Sequence, residues 1–258
     1  MLKQLIRLNN KFRNLRNPFT YLGCKYNLLK RDPVFLNLRN DVIAEVPMRL
    51  MQTFKESVFA EDYIKGFPAQ VLHNFESSTV IDVGANAGYF SLWWLSRFPD
   101  SEVISVEPMP NNFSLLQRNT SLNSTKRLHP VNCAVSSSIG EITLHFDRCD
   151  SFTTAASVLK NAGGRDELSI QATSIAQLMT RFNLSHIDFL KLDCEGSEYD
   201  ILYHCDDGLL EKIKCISMET HRGTETNQNK KSLCDFLRSK AFCVNTKSGS
   251  AMVYAYRK

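Results

Sequence analysis

The segment KLDCEGSE, residues 191–198, sets Asp193, Glu195 and Glu198 directly behind the apolar run IDFL, and Glu219 and His221 close the next β-rich run. Carboxylates raised in pKa by burial, or an imidazole titrating near neutrality, are suited to removing a proton from a weakly acidic group. The same side chains, Asp193, Glu195, Glu219 and His221, form an oxygen and nitrogen donor set of the kind that holds Mg²⁺ or Mn²⁺ and acidifies a bound diol. Spacing leaves both readings open. Competing roles are helix-entry capping for Asp193 and Glu195, and an ordinary surface or core position for His221.

A second group lies upstream. VIDVGANAGYF places Asp82, Gly84, Asn86 and Gly88 between a β-branched run and a helical stretch, a strand-to-helix turn of the kind that takes ligands in α/β folds. Gly84 and Gly88 allow backbone to approach a ligand closely, and Asn86 tolerates positive φ. Glu107, 23 residues beyond Gly84, is placed to accept hydrogen bonds from a ribose diol. These features fit a dinucleotide or S-adenosylmethionine (SAM). A dinucleotide fingerprint is G-x-G-x-x-G, whereas this chain reads G-x-N-x-G with Asp82 two residues before it. That carboxylate would repel a pyrophosphate and suits a cationic amino-acid end.

These groups need a scaffold that brings strand ends to one edge. From about residue 79, short β-branched runs alternate with helical stretches, the pattern of a parallel sheet with crossover helices. Strands are expected at 80–83, 102–106, 128–135, 187–193, 215–219, 242–246 and 252–256, with a further antiparallel strand over EITLHF after Gly140. Helices are expected at 89–98, from Asn111, after a Ser174 cap, at 198–205 and at 230–239. Residues 147–169 read as a long polar loop and a candidate lid, where Thr153, Thr154 and Ser157 are placed to bond a polar acceptor or face solvent. Trp93 and Trp94 follow the glycine turn on a helix that must pack on the sheet, so core packing is their expected role.

IDVGANAGYF, VEPMPNNFSLLQRN and IDFLKLDCEGSE resemble the three signature segments of the FkbM family of SAM-dependent methyltransferases. The resemblance runs from about Glu56 to Glu219. It implies an α/β fold: a class I methyltransferase Rossmann-like sheet of seven strands, mostly parallel with one antiparallel, and helices on both faces. It also implies O-methylation of a hydroxyl on a sugar, glycoconjugate or related small molecule, although the acceptor itself does not carry over. By position, Asp82, Gly84, Asn86, Gly88 and Glu107 take the cofactor role, while Asp193, Glu195 and His221 are the catalytic candidates that their place at the strand ends offers. A metal-free route is expected over Mg²⁺ or Mn²⁺. The alternatives are a nicotinamide-dependent oxidoreductase and a non-catalytic module that keeps the fold.

Composition bounds the rest. With 258 residues, 43% apolar and 22% charged, the chain is long enough for a sizeable core. It has no apolar run of 18 residues, so no membrane span is expected, and its start shows neither the h-region nor the cleavage site of a secretory signal. The eight cysteines are scattered without C-x-x-C pairs, which predicts reduced thiols and a cytoplasmic protein. Residues 1–31 carry eight Lys or Arg and no acid, leaving 23 basic and 27 acidic side chains elsewhere and a charge there of about −4. Such a body is a poor nucleic-acid enzyme. Leu2, Leu5, Leu8, Phe12 and Leu15 recur at helical spacing before Pro18. Residues 1–55 are therefore expected to form a basic helical extension, docked on the body or touching a membrane surface peripherally, ahead of a methyltransferase domain at 56–258.

Overall fold

The computed structural model describes residues 12–147, 152, 156–157 and 164–258. Ahead of the main sheet come helix α1 (Pro18–Lys25), the hairpin of β1 (Val34–Asn37) and β2 (Ile43–Val46), and helices α2 (Met51–Val58) and α3 (Ala69–Leu72). The alternating part follows as β3 (Thr79–Val83), α4 (Tyr89–Arg97), β4 (Glu102–Val106), α5 (Pro110–Asn123) and β5 (Leu128–Val131). Next are β6 (Ala134–Val135), β7 (Gly140–Phe146), β8 (Asp166–Thr173), α6 (Ile175–Arg181) and β9 (Ile187–Leu192). The chain ends with α7 (Glu198–Tyr203), α8 (Asp207–Glu211), β10 (Ile213–Glu219), α9 (Lys230–Ser239), β11 (Cys243–Thr246) and β12 (Met252–Tyr256).

Seven strands form one sheet in the order β11-β12-β10-β9-β3-β4-β5. Only β12 runs against its neighbours. Every residue of β9 is buried, as a central strand covered on both faces requires. Alternation along the strands divides the core in two. Val80 and Phe189 face a cluster shared with α4 and with Leu36 and Phe54 from the elements before β3, while Ile81 and Leu190 face α6, α7 and α9. Trp93 and Trp94 are buried as expected. Trp94 lies 4.6 Å from the Phe189 ring and donates to Ser78 Oγ at 3.1 Å, so its one polar atom is satisfied inside the core.

Several expectations change in detail. The strand expected over 128–135 is broken: β5 ends at Val131 as the sheet edge, and β6 belongs to a separate sheet, β6-β8-β7. The break follows from Asn132, whose amide donates to the backbone oxygens of Glu107 and Pro108 at 2.9 and 3.1 Å. The EITLHF strand pairs antiparallel with β8 in that small sheet, and the reversed member of the main sheet is β12. Residues 166–169, expected as loop, are paired strand in β8 because their side chains alternate against β7. Ser174 caps α6 as expected, accepting from Gln177 N at 3.2 Å.

Before the sheet, residues 12–14 are helical and the chain leaves that helix ahead of Pro18, which opens α1 because a missing N–H costs nothing at a first turn; Leu15 is bridged to Leu38. The boundary expected at 55/56 falls inside α2, and Leu15, Tyr21, Leu36 and Phe54 share one apolar cluster with Val80 and Phe189. Leu2, Leu5, Leu8, Cys149, Thr153 and Thr154 lie outside the described residues. Of the described cysteines, Cys24, Cys133, Cys215 and Cys234 are buried thiols, and Cys194, Cys205 and Cys243 are partly exposed ones. No described helix is long and apolar enough to cross a membrane.

Candidate active site

The turn after β3 is held at close quarters to the end of β9. Gly84 has φ of 72°, and a Cβ added there would stand 1.8 Å from the carbonyl oxygen of Asp193, so only glycine lets the two strand ends meet. The N–H groups of Gly84 and Ala85 both donate to Val106 O at 3.0 Å, which ties the turn to β4 as well. Asn86 adopts φ of 51°, as its side chain permits. Its N–H donates to Glu107 Oε2 at 2.7 Å, while Glu107 Oε1 accepts from Met109 N at 2.9 Å. Burial pushes Glu107 up to about 7, against the backbone donors of Met109 and Asn86 that pull it down.

Gly84, Asn86 and Glu107 line a cavity of about 400 Å³, and Asp193, Glu195 and Glu219 line it too. Two expected cofactor contacts lie off that wall. Gly88 opens α4 with φ of 81°, and an added Cβ would meet Leu116 Cδ1 at 2.5 Å; its role is a tight helix start against α5. Asp82 is fully buried, with Oδ2 accepting from Ser91 Oγ at 2.6 Å and Oδ1 2.8 Å from Lys191 Nζ. Asp82 and Lys191 are register partners on adjacent parallel strands, so their side chains share a face and neutralise each other below the cavity floor.

Sequence reasoning passed over Lys191. A charge inside a strand that must be buried on both faces needs a partner, and Asp82 on β3 is the matching acid; those two signals together identify the pair. Burial pulls the Lys191 pKa down, and Asp82 with Asp193 more than offsets it. The ammonium also donates to Gly84 O at 3.0 Å, lies 3.9 Å from Asp193 Oδ2 and sits 4.8 Å from the centre of the Tyr63 ring. Tyr63, which carried no signal as an isolated tyrosine, donates to Asp193 Oδ2 at 2.5 Å and lines the cavity. Arg49, Gln52 and Thr53 also line it, so the chain before residue 56 builds part of the wall.

At the acidic end, Glu195 has φ of 50° and Gly196 φ of 107°, a kink that swings the Glu195 carboxylate toward His221. Ser157 Oγ donates to Glu195 O at 2.5 Å, bringing a short piece of the expected lid against the site. His221 Nε2 stands 3.3 Å from Glu195 Oε2, and Nδ1 stands 3.3 Å from Glu198 Oε1. Burial lowers the His221 pKa, but the hydrogen bond to Glu198 and the charges of Glu195, Glu198 and Asp193 carry it up to about 9. Glu195 moves up to about 7 through burial, against the pull of His221, and burial with the Asp193 charge raises Glu219. Glu198 is fully buried and accepts from Gly196 N and His221 N at 2.9 and 2.6 Å, so it organises the loop rather than the cavity.

Three of the four expected metal candidates converge: one ligand atom each from Asp193, Glu195 and His221 lies within 4.8 Å of the others, and Glu219 falls outside that trio. Two carboxylates and an imidazole suit a hard divalent ion. Such an ion would have to displace the His221 proton that Glu195 and Glu198 favour.

The strand order with its single reversed strand, and the glycine turn facing an acidic residue at the end of the next strand, define a class I methyltransferase fold. The chain belongs to the FkbM methyltransferase family: residues 82–243 match the methyltransferase FkbM domain. Methyltransferase sdnD of Sordaria araneosa is 25% identical over 169 residues, covering 55% of this chain and 65% of that protein. Methyltransferase 1 of Beauveria bassiana (strain ARSEF 2860) is 24% identical over 161 residues, covering 56% of this chain and 65% of that protein. The chain thus spans just under two-thirds of the length of these curated relatives. Among solved structures, the METTL16 MTase domain superposes with a TM-score of 0.50 at 13% identity, over 95% of this chain and 97% of that one, which is a likeness of fold.

Proposed function

We propose that the chain transfers a methyl group from SAM to a hydroxyl of a sugar, glycoconjugate or related small molecule. The observation that carries this reading is one cavity lined both by the Gly84–Asn86 turn with Glu107 and by Asp193, Glu195 and Glu219. Its size is that of a small-molecule site. The cofactor side fits a ribosyl ligand. Glu107 already accepts the N–H groups of Asn86 and Met109 and, at 3.4 Å, the Asn112 amide, and a carboxylate offers about four acceptor positions, so capacity for one hydroxyl remains.

Bound SAM supplies an electrophilic methyl group on a sulfonium. The chain's own residues must then align a hydroxyl oxygen and remove its proton, and alignment alone is worth up to ~7–11 kcal/mol. Glu195, held near neutrality, is the side chain matched to accept that proton at physiological pH. Asp193, fixed by Tyr63, and Glu219 accept hydrogen bonds from neighbouring hydroxyls, as a polyhydroxylated acceptor requires. His221 stands 3.3 Å from Glu195 as an imidazolium ion-pair partner rather than serving as the base expected from its residue type. The reading is metal-free, and it takes the protein as cytoplasmic, in keeping with cysteines scattered without C-x-x-C pairs.

The test is a thermal-shift and turnover panel: SAM and NAD as cofactors, and nucleotide sugars, glycolipids and free sugars as acceptors, with and without EDTA. Stabilisation by SAM and a chelator-insensitive methylated product support the proposal. Stabilisation by NAD alone would replace it with the oxidoreductase reading. EDTA-sensitive turnover restored by Mg²⁺ or Mn²⁺ would move Asp193, Glu195 and His221 to a metal-holding role.

A further inference from the structure

Among the described residues, six of the eight exposed large apolar side chains fall between residues 12 and 35. Helix α1 with its cap and the turn that follows carries four of the six, Phe19, Tyr26, Leu28 and Leu29. Its inner face puts Tyr21 and Cys24 into the core with Leu22 half-buried against it, and its outer side carries Phe19 and, at the cap, Tyr26. Phe19 is 75% exposed and Tyr26 63%. The chain then turns back on the helix, with Leu28 N and Leu29 N both donating to Gly23 O at 2.8 and 3.0 Å. That turn leaves Leu28 79% exposed, more open than any other large apolar side chain described.

The charges around this face are of one sign. Arg13 and Arg16 pair internally with Glu61 and Asp41, but among the described residues no acid pairs with Lys25, Lys30 or Arg31. The first acid in the sequence is Asp32, whose Oδ1 accepts from Met48 N at 3.0 Å. The face therefore joins protruding apolar side chains to uncompensated cations, on a molecule whose remaining 227 residues carry about −4. An anionic surface attracts this face and repels the rest, which orients approach as well as strengthening it.

We propose that α1 and the turn at residues 26–31 dock on an anionic lipid interface, with Phe19, Tyr26 and Leu28 entering the headgroup boundary and Lys25, Lys30 and Arg31 meeting lipid phosphates. Exposed leucine distinguishes this occupant from nucleic acid. An aliphatic side chain gives no stacking platform to a base, whereas apolar side chains ringed by Lys and Arg are the make-up of an interfacial anchor. The inference is independent of which acceptor is methylated.

Co-sedimentation of the full chain with vesicles tests it, using phosphatidylcholine alone and phosphatidylcholine with phosphatidylserine. Binding is expected only to the anionic vesicles and is expected to fall at least tenfold at high salt. Two surface variants locate the contact while leaving the arm before Pro18 intact. Phe19→Glu with Leu28→Glu should abolish binding. Lys30→Glu with Arg31→Glu should weaken it by at least tenfold, the removal of two cations near the surface. Unchanged circular dichroism melting of both variants shows that they fold. Wild-type binding by both variants overturns the proposal and moves the contact to residues 1–17. Equal binding to neutral vesicles overturns it too, as does a first variant that only turns a dimer into a monomer, which would make the occupant a second copy.

Discussion

Two carboxylate–cation pairs stand at the carboxyl ends of adjacent strands in this molecule, and they differ in burial. Asp82 and Lys191 are sealed in the core 2.8 Å apart, while Glu195 and His221 are partly exposed at 3.3 Å. In the sealed pair Lys191 holds the Gly84 carbonyl and neither partner lines the cavity; in the open pair Glu195 lines it. Charge alone would have nominated Asp82 as readily as Glu195 for chemistry. Access decides between them: a carboxylate already neutralised inside the protein has nothing left to offer a ligand, and one that shares a proton-rich partner at a solvent-reached wall remains titratable.

Breaking the sealed pair should have the largest effect. Lys191→Met strands Asp82 as an uncompensated buried charge and is expected to cost about 3–5 kcal/mol of stability in urea denaturation. The double variant with Asp82→Asn should recover much of that loss. A single variant as stable as wild type would show that the pair does not hold the strand ends.

The open pair should behave in the opposite way. Glu195→Gln is expected to leave stability nearly unchanged and to lower kcat by about a hundredfold or more, the worth of a general base, with SAM affinity intact by calorimetry. Because Glu195 is held up to about 7, wild-type kcat should rise with pH through that value, and the variant should lose this limb. Asp193→Asn is expected to reduce kcat by more than about tenfold through lost positioning. Full activity in both variants would place the acceptor elsewhere in the cavity.

Glu107→Ala tests the cofactor side of the cavity. Loss of charge-assisted hydrogen bonds of about 1.5–3 kcal/mol each should weaken SAM binding by at least about tenfold. Wild-type affinity would remove Glu107 from the site.

A smaller effect is expected from Tyr63→Phe, which removes one hydrogen bond to Asp193. A fall of roughly fivefold in kcat with an unchanged SAM dissociation constant would fit a positioning role, at about 1 kcal/mol. The smallest concerns His221 and stability. Its pKa rises from 6.5 to about 9 on folding, so its contribution is fully present below pH 6.5 and is lost as pH rises through 9. His221→Gln should flatten the decline in Tm across that window, and an unchanged slope would assign the decline to other groups.

What local sequence determined was the parallel sheet and the two residue groups lining the cavity. Strand-length apolar runs that must be buried on both faces, alternating with helical stretches, admit few arrangements, and the ligand-facing edge of such a sheet is set by strand direction. Hence Gly84, Asn86, Glu107, Asp193 and Glu195 could be placed on one edge from their positions after strands, and Glu107 does lie beside Asn86. Tertiary structure decided everything that depends on which neighbour a side chain meets. Asp82 is withdrawn because register sets it beside Lys191. His221 is protonated because the fold adds Glu198 to Glu195 around one ring. Tyr63 and Arg49 reach the cavity because the chain before residue 79 packs on the same sheet. Residue type and spacing report the backbone path, which local forces dominate; proton affinity and access depend on partners far away in sequence, and only the folded chain brings those into range.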